Sequence, residues 1–245
     1  MHYLFYCTSI DNADIKVYNR CRYKLNSKGE LLVEKNKKSY TLGEEIFNAI
    51  SHGTGALLSI AGCVILIVFS AIHGDAYSVV SSAIYGASLI ILYTMSTLYH
   101  SITNVKAKKV FRILDHSTIF ILIAGTYTPY TLVTLRGAVG WTIFGIVWGT
   151  AAFGIVLNAI SIDRFKKISM VCYILMGWAI VAAVRPLYQN LSKGGLILLV
   201  AGGILYTVGI IFYAMKKYKY MHSIWHLFVV GGSVLHYFSI LLYVI

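Results

Sequence analysis

Seven long apolar stretches constrain the fold of this chain more than any other feature. Each is long enough to cross about 30 Å of hydrocarbon, which takes about 20 helical residues. Of the 245 residues, 58% are hydrophobic and 12% are charged, a balance far from that of soluble domains. We therefore predict an all-α integral membrane protein, a seven-transmembrane helix bundle. Its spans are placed at 46–72, 77–99, 111–134, 138–160, 168–185, 194–215 and 223–245.

The basic residues predict how this bundle is oriented. If the N-terminus is cytoplasmic, 18 of the 21 Lys and Arg residues fall in cytoplasmic segments, which are 1–45, 100–112, 161–167 and 216–222. Because Lys and Arg concentrate in cytoplasmic loops, we predict a cytoplasmic N-terminus and an external C-terminus. The net charge of +12 then belongs to these loops, and no nucleic-acid partner is expected. The first apolar patch is short and is followed by polar residues, so no cleavable signal peptide is expected.

The chain divides into a cytoplasmic N-terminal segment, residues 1–43, and a seven-transmembrane domain, residues 44–245. Residues 23–33 predict a small β-hairpin around Ser27-Lys-Gly29. Thr41-Leu-Gly-Glu44 matches a capping box and predicts the start of the first helix.

The small residues and the cysteines say less about the fold and the site. Gly145-Ile-Val-Trp-Gly149 and Gly202-Gly203 predict close packing between helices. The four cysteines have no CxxC spacing, so neither a disulfide framework nor a thiolate metal site is expected.

Two histidines, His222 and His226, lie where the last span begins. Four residues apart on a helix, they share one face, the spacing that two ligands of one metal ion require. His100 ends the second span, so the predicted topology places all three histidines at cytoplasmic helix ends. An ionisable side chain inside a membrane is costly and marks a functional candidate. The alternative is that each is an interfacial histidine solvated among the lipid headgroups.

The donor set favours zinc. Three histidines with an open fourth position form a known catalytic zinc arrangement, and zinc lowers the pKa of a bound water to about 7. Asp115, about one turn into the third span, is the candidate general base for that water, or it orients a ligand. Ser96, one turn before His100, is placed to assist the water or a substrate carbonyl. Alternatively, Asp115 neutralises Arg112 one turn away.

A polar face of the first span starts at the same depth. Glu45, Asn48 and His52 stand at i, i+3 and i+7, which places them on a single side of the helix. Either these side chains support the metal ligands from behind, or they only hold the first span against its neighbours through hydrogen bonds.

Two further histidines are predicted to lie outside the site. His116 follows Asp115 by one residue and points about 100° away, so it should meet a neighbouring helix or headgroups. His236 lies ten residues beyond His226, about 15 Å deeper, and is expected to pack or line a pore rather than bind metal.

In this order, the residues resemble the hemolysin III proteins. The motifs that carry the resemblance are Glu45-x-x-Asn48-x-x-x-His52, Ser96-x-x-x-His100, Leu114-Asp115, Gly125-Thr-Tyr-Thr-Pro129 and His222-x-x-x-His226. These proteins are the bacterial branch of the progestin and adipoQ receptor family, within a superfamily that includes alkaline ceramidases. The resemblance covers residues 41–245.

The resemblance implies a seven-helix bundle with a zinc ion near the cytoplasmic face. By motif position, its ligands would be His100, His222 and His226, with Asp115 at the metal-bound water and Ser96 beside it. Eukaryotic adiponectin receptors of this family are linked to ceramide hydrolysis. Bacterial members are linked to cytolysis or to membrane-fluidity homeostasis.

Three functions fit these observations. The first is a zinc-dependent hydrolase of membrane-lipid homeostasis, acting on a lipid amide or ester that enters from the bilayer. The second is a pore-forming cytolysin, and the third is a non-catalytic membrane sensor with a structural zinc and residues 1–43 as its output. Membrane lipids are the expected partners and the bacterial plasma membrane the expected location. The sequence predicts no particular oligomeric state.

Overall fold

The computed structural model describes residues 7–11, 14–18, 21–25, 31–35, 40–215 and 217–245. Before the helices, four strands pair as two antiparallel hairpins, β1 (Cys7–Asp11) with β2 (Asp14–Tyr18) and β3 (Cys21–Leu25) with β4 (Leu31–Lys35). Leu25 pairs with Leu31 in the second hairpin, which confirms the hairpin predicted within 23–33. Its turn, with Ser27-Lys-Gly29, lies outside the described residues.

Most of the remaining described chain is helical. The helices are α1 (Leu42–His73), α2 (Ala76–Ser101), α3 (Val105–Pro129), α4 (Ala138–Gly177), α5 (Val184–Asn190), α6 (Lys193–Ala214) and α7 (Met221–Tyr243). A π-helical turn, Tyr130–Thr134, follows Pro129, and a 3₁₀ turn, Ala179–Ala183, precedes α5. Six helical segments of the described chain are long and apolar enough to cross a membrane, which confirms a helical integral membrane protein.

Helix α1 has the reverse of a soluble helix's amphipathic pattern. Its buried positions are mostly polar or small and recur every three or four residues: Glu44, Asn48, His52, Gly55, Ser59, Gly62, Leu66 and Ser70. Its large aliphatic side chains, such as Leu57, Leu58 and Ile72, are exposed. Lipid is as apolar as leucine, so small and polar residues form the helix contacts while aliphatic ones face the hydrocarbon.

Helix α4 is interrupted within its 40 residues. Ser161 has extended backbone angles (φ −169°, ψ 107°) inside the helical run. Asn158 bonds to Ser169 (Oδ1 to Oγ, 2.9 Å) and to Tyr173 (Nδ2 to hydroxyl, 3.5 Å). Residues 11 and 15 positions apart on a straight helix would be separated by about 16 and 22 Å. The chain therefore folds back at Ser161, at the start of the predicted cytoplasmic segment 161–167.

Of the glycines predicted to pack closely against a neighbouring helix, Gly202 does so, and Gly154, which was not predicted, does so as well. A Cβ added at Gly154 would lie 2.1 Å from Phe120, and one at Gly202 would lie 2.4 Å from His236. A Cβ at Gly145, Gly149 or Gly203 would meet nothing within 4 Å. The packing prediction is therefore wrong for these three, because small-residue spacing alone does not tell which face of a helix meets a neighbour.

Candidate metal centre

Three histidine rings from two helices converge at one end of the bundle, and we call His100, His222 and His226 the histidine cluster. Their nearest ring nitrogens all lie within 4.8 Å of one another. The Nε2 atoms of His222 and His226, which are one turn apart on α7, are separated by 3.1 Å. In a tetrahedral zinc site with Zn–N bonds of about 2.0–2.1 Å, ligand nitrogens lie about 3.3 Å apart. The cluster can therefore hold a metal ion after a small movement of side chains.

The bonds of His100 determine which of its nitrogens faces the cluster. Its Nδ1 lies 2.6 Å from Glu45 Oε2 and 3.5 Å from Asn48 Nδ2. Its Nε2 is buried and has no hydrogen-bond partner among the described residues. An unpaired buried polar atom is costly, and a metal ion would satisfy this nitrogen. A carboxylate on the opposite nitrogen is the usual support of a metal-ligating histidine.

The polar face of α1 meets this cluster along its length. Glu45 is held in turn by Lys108 of α3, whose Nζ donates to Oε1 at 2.7 Å. Two turns after Glu45 on α1, the ring of His52 stacks on that of His226, with centroids 3.7 Å apart and planes at 19°. Glu45, Asn48 and His52 thus contact two members of the cluster, in addition to joining α1 to its neighbours.

Asp115 lies on α3 near the cluster. It is 5% exposed and lines the same cavity as His52, whose ring stacks on His226. Arg112 does not neutralise it, because Arg112 instead pairs with Asp163 of α4 (Nη2 to Oδ1, 2.7 Å).

Ser96 is buried one turn before His100 on α2. Its hydroxyl is near enough to act on the Asp115 carboxylate, yet it makes no hydrogen bond of standard geometry with any described residue. The structure therefore brings the predicted serine and aspartate to the same end of the bundle as the three histidines.

His116 lies closer to the site than the sequence predicts. Its Nδ1 is 2.9 Å from the Arg112 carbonyl oxygen and 3.5 Å from Asp115 Oδ2, and both residues line one cavity. The prediction that His116 cannot share a site with Asp115 is wrong. The ring folds back toward the preceding turn, and this offsets the 100° between successive side chains.

Aromatic rings that the sequence analysis did not identify surround His222. Tyr40 stacks on it, with centroids 4.7 Å apart, and lies 5.7 Å from the ring of His100. Burial raises the pKa of Tyr40 well above its ordinary value, so the phenol stays neutral. The sequence does contain a signal for this position, because Tyr40 directly precedes the capping box and so lies at the start of α1, near Glu45. The rings of Trp225 and Tyr213 also contact His222, with centroids 4.9 and 5.9 Å away.

The start of α1 also fixes the start of α7. The predicted capping box is confirmed, because the backbone N–H of Thr41 donates to Glu44 Oε2 at 2.7 Å and that of Glu44 donates to Thr41 Oγ1 at 3.3 Å. The second oxygen of Glu44 accepts the backbone N–H of Tyr220 at 2.7 Å. Tyr220 is in the left-handed region (φ 60°), two residues before His222. One carboxylate therefore anchors both helix starts.

A cavity of about 140 Å³ extends away from the cluster. Its lining includes α3 from Asp115 to Tyr127, twelve residues or about 18 Å of helix, and residues of α4, α6 and α7. Four lining residues are exposed on the outside of the bundle: Ile174, Gly177, Trp178 and Thr207. Trp178 Nε1 donates to Thr207 Oγ1 at 3.1 Å across this position. The cavity thus opens between α4 and α6, where exposed side chains such as Leu175, Ile204 and Ile211 are apolar.

Comparison with known proteins finds relatives that match most of the chain. The family model described as Haemolysin-III related matches residues 40–237. The chain is 53% identical over 202 residues to Hemolysin-3 of Bacillus cereus, covering 82% of this chain and 92% of that protein. It is 50% identical over 204 residues to the Hemolysin-3 homolog of Bacillus subtilis (strain 168), covering 83% and 96%.

A more distant similarity extends to animals. Human monocyte to macrophage differentiation factor is 25% identical over 206 residues, covering 82% of this chain and 84% of that protein. The matched family model covers most of the chain and includes every residue of the histidine cluster. The chain therefore belongs to the haemolysin-III related family and is a multi-pass integral membrane protein of a bacterial cell membrane.

Proposed function

We propose that this protein is a zinc-dependent hydrolase that cleaves a lipid amide or ester within its own membrane and so contributes to lipid homeostasis. The observation that carries the proposal is the histidine cluster, whose ring nitrogens lie within 4.8 Å of one another beside a buried carboxylate. An all-imidazole donor set suits zinc. A hydrolytic site also needs a base and a substrate path, and Asp115 and the cavity are candidates for these roles.

The chain's own residues would divide the work as follows. His100, His222 and His226 would hold the ion, which when bound supplies a Lewis acid for hydrolysis. Asp115 would accept a proton from the attacking water at its carboxylate and return it to the amine or alcohol that leaves. Ser96 would donate its hydroxyl proton in a hydrogen bond to the substrate carbonyl. Glu45 would keep the His100 ring turned so that Nε2 faces the cluster.

The cavity suits a substrate delivered from the bilayer. Its walls are mostly apolar, and its opening lies between α4 and α6, where the outer faces of the helices would contact hydrocarbon. A lipid could place its chain in the cavity and its amide or ester group beside Asp115 without crossing water.

The same proposal includes a topology of seven spans, with the N-terminus cytoplasmic and the C-terminus outside. The fold-back at Ser161 supports two spans within α4, since 40 helical residues would extend about 60 Å, twice the hydrocarbon thickness. The distribution of 18 of 21 basic residues supports the orientation. The histidine cluster would then act in the cytoplasmic leaflet.

Lipid cleavage by zinc-loaded protein tests the proposal. Purified protein is incubated with vesicles made from lipids of its own bacterial host, and released fatty acid is measured by mass spectrometry. Asp115→Asn should lower the rate by roughly 10²–10⁴-fold, the usual contribution of a general base, with unchanged zinc content. Asp163→Asn is the matched control, because that carboxylate is exposed at the surface and pairs with Arg112. Zinc-loaded wild type that releases no acid would refute the hydrolase.

A cytolysin is the second candidate, and the names of the two Bacillus relatives favour it. It predicts that purified protein added to dye-filled liposomes causes leakage. Because a pore needs no hydrolytic metal, leakage should be the same for wild type and His100→Ala. The hydrolase predicts no leakage from liposomes of uncleaved lipid.

A further inference from the structure

The cavity contains a histidine at the end remote from the cluster. His236 lies on α7, ten residues after His226, which corresponds to about 15 Å along the helix. It is 5% exposed and lines the same cavity as Asp115 and His52. One elongated ligand can therefore contact both ends.

Three contacts hold the His236 ring in one orientation. Its Nδ1 lies 2.7 Å from the carbonyl oxygen of Gly232, and since a carbonyl only accepts, Nδ1 carries the proton. One ring face stacks on Tyr206, with centroids 5.2 Å apart and planes at 14°. Helix α6 leaves space for the ring at Gly202, where a Cβ would lie 2.4 Å from Nδ1. A neutral ring held in this way presents Nε2 as a hydrogen-bond acceptor.

The polar groups around His236 are already paired. Three hydroxyl groups at this end of the cavity are hydrogen-bonded. Thr126 donates to the carbonyl oxygen of Leu122 (2.8 Å) and Tyr127 to that of Gly177 (2.9 Å). The hydroxyls of Tyr206 and Ser233 bond to each other (2.8 Å). No described residue bonds to Nε2 of His236. An unpaired acceptor in an apolar cavity is costly, so a donor group on a ligand would be stabilised there.

We infer that His236 is a ligand-binding residue whose Nε2 accepts a hydrogen bond from a hydroxyl or N–H group carried partway along a lipid chain. The inference rests on the proposed function in that it requires a lipid in the cavity with its polar head near the histidine cluster. A separation of about 15 Å is the depth of one leaflet, half the ~30 Å hydrocarbon thickness, so the donor lies past the middle of a long acyl chain. Long-chain hydroxy acids and their amides or esters form the matching class.

Two fatty acids that differ by one hydroxyl test this inference. Binding of octadecanoic acid and 12-hydroxyoctadecanoic acid to zinc-loaded, full-length protein is followed by tryptophan fluorescence, because Trp178 and Trp225 line the cavity. Wild type should bind the hydroxy acid about three- to tenfold more tightly, as expected for one neutral hydrogen bond. His236→Phe keeps a ring to stack on Tyr206 and should bind both acids equally.

A variant of the cluster separates this inference from the hydrolase. His222→Ala/His226→Ala should weaken binding of both acids by a similar factor and preserve their ratio. If lipid cleavage fails but the hydroxy-acid preference is present in wild type and absent in His236→Phe, the inference stands without the hydrolase. Equal affinities in wild type, a preference that survives in His236→Phe, or no binding of either acid would overturn it.

A second measurement covers the case in which His236→Phe does not fold. In ¹⁵N-histidine-labelled wild type, the Nε2 resonance of His236 should shift when the hydroxy acid is added and should not shift with octadecanoic acid. An identical response to the two acids would contradict the inference.

Discussion

At the scale of single residues, Glu45 joins the bundle to the candidate metal centre. Its two carboxylate oxygens contact different partners, His100 Nδ1 at 2.6 Å and Lys108 Nζ at 2.7 Å. These partners lie on α2 and α3, while Glu45 itself belongs to α1. The ring of His100 is therefore oriented by a carboxylate that is itself held in place, as is common behind metal-ligating histidines.

Removal of this carboxylate should weaken metal binding. We expect Glu45→Ala to lower zinc affinity about 10–100-fold, because His100 loses the group that fixes its orientation. Glu45→Gln keeps an oxygen acceptor and should lose less. Competition with a chromophoric chelator measures both affinities, with Asp163→Asn as the control for loss of a carboxylate outside the histidine cluster. An affinity of Glu45→Ala equal to that of wild type would show that Glu45 only joins helices.

At the scale of helices, glycine contacts distinguish lipid-facing surfaces from helix-facing ones. Gly154 and Gly149 lie on the same helix, yet a Cβ would meet Phe120 at 2.1 Å in the first case and open space in the second. The Phe120 ring is fully buried, so it has little room to move away.

A matched pair of alanine substitutions tests this distinction. Gly154→Ala should lower the free energy of unfolding by about 1–3 kcal/mol, as expected for overpacking a filled contact. Gly149→Ala should leave it unchanged or raise it slightly, because alanine favours a helix and nothing obstructs the methyl group. Thermal unfolding in detergent measures both, and equal midpoints would contradict the packing described here.

The helices and the main site motifs could be predicted because their signals are local. Span length follows from hydrocarbon thickness, and the His222–His226 spacing follows from the helix period. Contacts between distant parts of the chain could not be predicted. The partner of Arg112, for example, is 51 residues away, on α4.

The same limit explains two further differences between sequence and structure. Small-residue spacing does not show whether Gly149 faces a helix or lipid. The ring of His116 approaches Asp115 through a side-chain rotation that helix geometry alone leaves open.

At the scale of the whole molecule, the cavity begins beside the cluster, at Asp115 and at His52, whose ring stacks on His226. The cavity starts at Asp115, passes along α3 and opens between α4 and α6. Gly177 lies at the opening, and a Cβ there would meet nothing within 4 Å. A larger side chain at this position can therefore occupy the opening without displacing the bundle.

Blocking this opening should slow access of lipid and leave the metal site intact. We expect Gly177→Leu to lower the rate of lipid cleavage in vesicles severalfold, with zinc content unchanged. Gly149→Leu is the control, because it adds the same side chain to the same helix in open space away from the cavity. Similar rates for the two variants would mean that substrate does not enter between α4 and α6.

Zinc binding by His100, His222 and His226 is the property on which the proposed function depends most. Inductively coupled plasma mass spectrometry of purified wild type beside His222→Ala/His226→Ala tests it most directly, with circular dichroism to verify that both are folded. We predict about one zinc ion per wild-type chain and little or none in the variant. An equal metal content in the two proteins would contradict the account.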